Sequence, residues 1–154
     1  DAVSPYYDYF KNNDKGAFLL IKTSNPSGVD FQDIEIDGMR LYERVAQKVQ
    51  SWGGTFVDES GFSAIGAVIG LTYPEEFKRI KPLMPRTFFL IPGYGAQGGT
   101  GKDIAEIFRD GVCGIVNSSR GIIARHVKKG IDEGFAEEAR QAVLEMKEDI
   151  GKWL

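Results

Sequence analysis

The sequence holds one cysteine, Cys113, and one histidine, His126. A single thiol cannot close an internal disulfide, and one Cys with one His cannot supply a zinc site, so no metal is expected. No serine, cysteine or carboxylate pattern around His126 marks a catalytic triad, and a helix-surface position is expected for it. Cys113 lies in the apolar run Val112–Val116, which predicts an inert core residue. An excess of positive charge is also missing. With 19 Lys+Arg against 22 Asp+Glu and a net charge of −3, no long-range field gathers phosphate backbones or anionic lipid, so nucleic acid is not an expected partner. No apolar run approaches the ~18 residues of a membrane span, and no cationic, apolar, small-residue leader is read at the start. The expectation is no membrane partner and a cytoplasmic setting.

What is present is a globular composition, 42% hydrophobic and 12% aromatic, in 154 residues. That length suits one domain over residues 1–154, with no linker or low-complexity segment to divide it. The chain opens at Asp1 without a methionine, its first apolar residues running into Ser4-Pro5, and is expected to begin inside a larger fold. Ala17–Lys22 is a continuous apolar run bounded by Gly16 and by Thr23-Ser24-Asn25-Pro26, the pattern of a strand buried on both faces. Gly38–Trp52 carries apolar residues at helical spacing, and Gly53-Gly54 stops it. The alternation continues with strand Ala64–Gly70, helix Pro74–Lys81, strand Thr87–Ile91, helix Lys102–Arg109, strand Val112–Asn117 and a final helix across Asp132–Trp153. Apolar strands separated by helices predict the α/β class with a parallel sheet. A complete (β/α)8 barrel needs ~250 residues, so the chain has room for about half of one.

In such folds ligands gather at the carboxyl ends of the strands. The four segments there are Thr23–Gly28, Leu71–Pro74, Pro92–Gly101 and Ser118–Gly121, all polar or glycine-rich. The third holds five glycines within Gly93–Gly101, just before a helix start, and predicts an anion site whose loop orders when the anion binds. Arg120, in the fourth, adds a fork of fixed donors suited to phosphate. A Walker loop is excluded, because Ala96 stands where its first glycine is required and Asp103 where its hydroxyl is required. Gly93-Tyr94-Gly95-Ala96-Gln97-Gly98 matches Gly-x-Gly-x-x-Gly after a strand, and Arg120 could meet the 2′-phosphate of NADP. Pro92 before the first glycine, and the delay of the helix by Gly99-Thr100-Gly101, weigh against that reading. The Glu137-Glu138 and Lys128-Lys129 pairs read as solvated helix faces.

Several blocks together resemble the carboxyl-terminal half of orotidine 5′-phosphate decarboxylase in its longer bacterial form, type 2. They are Asp1-Ala2-Val3 with Pro5-Tyr6, Lys22-Thr23-Ser24-Asn25-Pro26, Gly66–Pro74, Phe89–Gly99 and Ile115–Gly121, in order and covering nearly the whole chain. The resemblance implies a dimeric (β/α)8 barrel that converts orotidine 5′-monophosphate to UMP and carbon dioxide in pyrimidine synthesis, without a cofactor. It implies that Thr23 and Ser24 face the pyrimidine, with the Ser24 hydroxyl bonding the base and touching Gln97. By the same resemblance Pro92, Gln97, Gly98, Gly99 and Arg120 form the phosphate side of the substrate site. The family's catalytic Asp-x-Lys-x-x-Asp array has no counterpart, since the only Asp-Lys pair is Asp14-Lys15 in a polar turn. No catalytic residue is therefore expected in this chain, and Lys22 is the one lysine beside a strand's carboxyl end that could change this. Two other functions compete: a non-catalytic phosphate- or nucleotide-binding half-barrel, and an NADP-dependent oxidoreductase.

Overall fold

A computed structural model describes residues 2–12, 15–71, 74–95, 97–109 and 111–154. Pro5 starts a 3-10 turn (Ser4–Tyr6) that leads into α1 (Tyr7–Asn12). There follow β1 (Ala17–Lys22), the short α2 (Val29–Gln32), a small hairpin of β2 (Glu35–Ile36) and β3 (Met39–Arg40), and α3 (Leu41–Gly53). The second half runs β4 (Ile65–Ile69), α4 (Pro74–Ile80), β5 (Phe89–Pro92), α5 (Gly101–Arg109), β6 (Gly114–Asn117), α6 (Ser119–Ile122), α7 (Arg125–Lys128) and α8 (Phe135–Gly151). The predicted helix from Gly38 starts later. Asp37 and Gly38 take positive φ of 52° and 75°, so the chain first makes the tight two-residue turn of a hairpin. Glu43 then caps α3 by accepting from the Arg40 backbone N–H at 2.8 Å.

The main sheet is parallel, in the order β1-β4-β5-β6. Sequential order leaves open whether the sheet is doubly wound or an arc of a barrel, and burial decides between them. Leu20, Val68, Leu90 and Ile115 stand in register across all four strands, and the outer two are 55% and 53% exposed. Phe18, one row below, is exposed as well. On the opposite face Ala67, Ile69, Phe89 and Ile91 are buried with Tyr42, Ala46 and Val49 of α3, Phe77 and Ile80 of α4, and Ile104 and Ile107 of α5. All the helical cover is on one face, as in a barrel arc whose lumen side is open, whereas a doubly wound sheet is covered on both. The expectation of strands buried on both faces is corrected accordingly. Cys113 is corrected for the same reason: Val112 takes the buried face, alternation turns Cys113 to the open one, and the thiol is exposed.

Tyr7 and Phe10 of α1 pack their rings on Phe56 at centroid distances of 4.9 and 5.5 Å, joining α1 to the core. At the other end α8 closes the helical layer against α5, α6 and α7. The acidic and basic pairs expected to be merely solvated interlock there. Glu138 accepts from Lys129 at 2.7 Å and from Arg125 at 3.0 Å, and Arg125 also binds Glu145. Among the described residues no helix is long and apolar enough to cross a membrane.

Candidate phosphate and base site

The carboxyl end of β5 runs through Pro92 into Gly93, whose φ of 122° is open to glycine and strained for other residues. This turn reverses the chain over Leu71, whose backbone N–H donates to Pro92 O at 2.8 Å. The glycine segment then folds on itself. Gly95 donates to Gly99 O at 2.8 Å, Gly98 to Gly95 O at 2.9 Å, and Gly99 to Gly93 O at 3.2 Å. A Cβ on Gly99 would strike the Leu71 side chain and Gly93 O, so the loop lies flat on the end of β4 only because that residue is glycine. Ala96, within the loop, and Thr72 and Tyr73, in the loop after β4, lie outside the described residues.

Pro92 pairs in register with Asn117 of β6. Above this pair Pro92, Gly93, Tyr94 and Gln97 face Asn117, Ser118, Ser119 and Arg120 across a cavity of about 130 Å³. The cavity wall is internally braced: buried Ser118 donates its hydroxyl to Tyr94 O at 2.8 Å. Gln97 and Arg120 stand exposed at the rim, and Arg120 makes no ion pair among the described residues. Pro92, Gln97 and Arg120, separated by up to 28 positions, thus line one cavity, while Gly98 and Gly99 belong to the loop that carries Gln97.

The anion expected at the start of α5 meets a different arrangement. The Gly101 N–H donates to Asp149 Oδ2 of α8 at 2.9 Å, and the Thr100 N–H to Asp103 Oδ2 at 2.9 Å. The protein's own carboxylates occupy this helix terminus, and a second anion there would meet repulsion. The Gly-x-Gly-x-x-Gly reading required a pyrophosphate at this helix start, so the same contacts argue against NADP. Asp149 was not legible as a site residue, because 48 residues separate it from Gly101.

Thr23 and Ser24 stand at the carboxyl end of β1, beside β4 and apart from the cavity. The Thr23 N–H and hydroxyl both donate to Gln32 Oε1, at 3.1 and 3.3 Å. The Ser24 hydroxyl is buried against Gly70 without a hydrogen-bond partner among the described residues, and a Cβ on Gly70 would collide with it. No hydrogen bond therefore joins Ser24 to Gln97. Ser24, Gly70, Leu71 and Gly93 nevertheless form a continuous line of contacts toward the cavity.

Lys22 points away from the lumen. The β1–β4 register slips between Leu20 and Lys22, so Leu20 matches Val68 on the open face while Lys22 matches Ile69 on the helical one. Its side chain is 1% exposed, its ammonium binds Asp33 just past α2, and Nζ lies 4.9 Å from the centroid of the Tyr42 ring. His126 lies on α7, with Nδ1 3.0 Å from Ile123 O. Among the described residues no cluster of three His, Cys, Asp or Glu side chains could hold a metal ion.

No family model matches the chain. Individual relatives do. The chain is 42% identical over 154 residues to orotidine 5′-phosphate decarboxylase of Clostridium novyi, covering 99% of this chain and 54% of the relative. Against the same enzyme of Petrotoga mobilis it is 44% identical over 154 residues, covering 97% and 53%. Among solved structures, Leishmania donovani OMP decarboxylase matches with a TM-score of 0.69 and 28% identity, over 99% of this chain and 52% of that one. Leishmania donovani UMP synthase matches with a TM-score of 0.71 and 28% identity, over 99% and 30%. Across nearly all of its residues this chain is similar to the orotidine 5′-phosphate decarboxylases, and it spans about half the length of the curated relatives that it matches.

Proposed function

We propose that this chain supplies the phosphate- and base-binding loops of an orotidine 5′-phosphate decarboxylase, which forms UMP and carbon dioxide from orotidine 5′-monophosphate in pyrimidine synthesis. The observation that carries the reading is the cavity shared by Pro92, Gln97 and Arg120 at the carboxyl ends of β5 and β6. It combines a guanidinium fork, a carboxamide and hydroxyls on rigid strand ends, a donor set suited to a phosphate monoester. On the same reading Gly98 and Gly99 carry backbone toward the phosphate, and Thr23 and Ser24 meet the pyrimidine. The Ser24 hydroxyl supports this, because it has no hydrogen-bond partner among the described residues and a base edge would satisfy it.

Gripping the phosphate holds the reacting ring by a remote handle, so binding energy can orient the ring rather than merely retain it. The reacting carbon then requires a proton donor from the Asp-x-Lys-x-x-Asp array that the resemblance implies, and the catalytic groups are proposed to lie outside this chain. The inward row Leu20, Val68, Leu90 and Ile115 carries no ionisable group, which agrees with that division. Exposure of that row supports association with further barrel strands. A homodimer in the cytoplasm, using neither metal nor organic cofactor, completes the proposal on the strength of the resemblance.

Calorimetric titration with UMP, inorganic phosphate and NADPH tests the reading. UMP is expected to bind more tightly than phosphate, and Arg120→Ala or Gln97→Ala to weaken both without changing thermal stability. Equal affinity for UMP and phosphate would identify a non-catalytic phosphate module, and a preference for NADPH an oxidoreductase.

A further inference from the structure

We propose that Lys22, Gln32 and Asp33 act as a positioning clamp that holds the Thr23-Ser24 turn in place for the pyrimidine. The inference rests on the proposed function, because it assigns a purpose to residues behind the site rather than in it.

Lys22 is an expensive choice for its position. Burying an ammonium costs several kcal/mol before pairing, and an apolar side chain of similar volume at such a site is often as stabilising or more so. Stability alone therefore does not explain a lysine among Ile21, Tyr42 and Ile69. What the charge adds is direction. An ion pair to Asp33 has one geometry, whereas an apolar side chain slides among several. Direction matters here because the register slips at this point of β1, so the ladder is irregular where the strand ends, with the Gly70 N–H donating to Lys22 O at 3.0 Å as its last rung.

The second attachment is adjacent. Gln32 precedes Asp33, Thr23 follows Lys22, and Gln32 Oε1 takes both the N–H and the hydroxyl of Thr23. Gln32 of α2 and Asp33 just past it thus grip the last residue of β1 and the residue that follows it. Gly28 completes the closure, since a Cβ there would lie 2.7 Å from Thr23 Oγ1 and 3.0 Å from Gln32 Oε1. Ser24 is the next residue along the chain, and its hydroxyl is buried and unpaired among the described residues. The clamp therefore ends where the base contact is proposed to begin, and it fixes the backbone from which that hydroxyl extends. None of the three residues lines the phosphate cavity, so the clamp and the phosphate grip can be separated experimentally.

The experiment is calorimetric titration of the 154-residue chain with UMP and with inorganic phosphate, for the natural sequence and for Lys22→Met, Gln32→Ala and Gln32→Glu. Lys22→Met keeps the stem and removes the charge, and Gln32→Glu keeps the acceptor. Lys22→Met and Gln32→Ala are expected to lower UMP affinity about tenfold, the scale of one misplaced hydrogen bond, with phosphate affinity unchanged. Gln32→Glu is expected to retain the preference for UMP. If Lys22→Met does not fold, the half-buried Gln32→Ala decides. A folded Gln32→Ala with unchanged UMP affinity, or with UMP and phosphate weakened equally, overturns the clamp. Absence of any UMP preference in the natural sequence instead overturns the base-recognition reading on which the clamp rests.

Discussion

Tyr94, in the glycine loop, donates its hydroxyl at 2.8 Å to Asp149 of the last helix, and the same carboxylate oxygen accepts the Gly101 N–H at the loop's far end. One side chain of α8 thereby ties together the two ends of the segment that forms one wall of the cavity. The brace explains why a loop with five glycines keeps one shape, and why α8 matters to a site that it does not line.

Asp149→Ala should therefore act on both stability and binding. Loss of a charged acceptor with two donors costs about 1–3 kcal/mol, read as a lower thermal midpoint. Phosphate affinity should fall as well, because the wall carrying Gln97 loses its anchor. A variant with normal phosphate affinity would show that the loop holds its shape by its own hydrogen bonds.

The same pair sets an alkaline limit. Burial, and then the hydrogen bond to Asp149, push the Tyr94 phenol from 10.0 up to about 12. The folded state thus keeps a proton that the unfolded chain releases from about pH 10, so this contribution is intact below pH 10 and disappears as the pH rises through about 12. Denaturant unfolding across that range should show a fall in stability that is smaller in Tyr94→Phe. Identical slopes for the two proteins would remove Tyr94 from the account.

An acid limit sits on the outer face of the helical layer. Arg125, followed by Gln141, holds the Glu145 carboxyl down at about 2 from an ordinary 4.5, and Lys129, followed by Arg125, lowers Glu138 as well. A depressed carboxylate stabilises the fold above its unfolded value and stops doing so as the pH falls through its folded one. For Glu145 the window runs from about 4.5 down to about 2. Both side chains reach solvent, so salt should shrink the effect. The acid-induced loss of helical signal should be shallower in Glu145→Gln, and an unchanged profile would assign acid sensitivity to other carboxylates.

The glycine loop was expected to order only around an anion, and its internal bonds narrow that expectation. The Gly95, Gly98 and Gly99 amides each have a backbone acceptor, so all three should resist hydrogen exchange without ligand. Addition of UMP should slow exchange mainly at Gln97, on the rim. Fast exchange at all four amides, slowed together by UMP, would restore a loop that orders as one piece.

The parts of this fold that could be read in the sequence are those whose signal is local. Apolar runs bounded by glycine and proline mark the four parallel strands, and the positions of Pro92, Gln97 and Arg120 at one edge of the sheet are legible because Pro92 ends β5 and the other two lie within five residues of the ends of β5 and β6. The hairpin is masked in the sequence because Asp37-Gly38 adjoins a strongly helical pattern, although that dipeptide is itself a turn signal. Asp149 could not be found, since only the docking of α8 brings it to Gly101. The exposure of Cys113 is not legible because apolar character does not say whether the second face of a sheet is covered. Lys22 depended on a register slip, which inverts the face of a side chain without altering composition.

That inversion underlies the last prediction, that the 154-residue chain by itself does not decarboxylate orotidine 5′-monophosphate above the uncatalysed rate. A proton donor for the reacting ring must reach the lumen at the carboxyl ends of the strands, and geometry within hydrogen-bond reach comes before any question of pKa. Lys22 is the lysine nearest to such an end, yet its ammonium lies on the helical face between Asp33 and Tyr42. Reaching the lumen would mean breaking the ion pair and reversing the register slip, leaving the Asp33 carboxylate without its principal partner. Phosphate affinity is expected to survive without turnover, because Arg120 and Gln97, the proposed phosphate ligands, line a separate cavity. An assay of carbon dioxide release, run beside Lys22→Ala, decides the matter. Background rates in both proteins are expected, and turnover in the natural chain that vanishes in Lys22→Ala would install Lys22 as the proton donor and refute the division of labour proposed here.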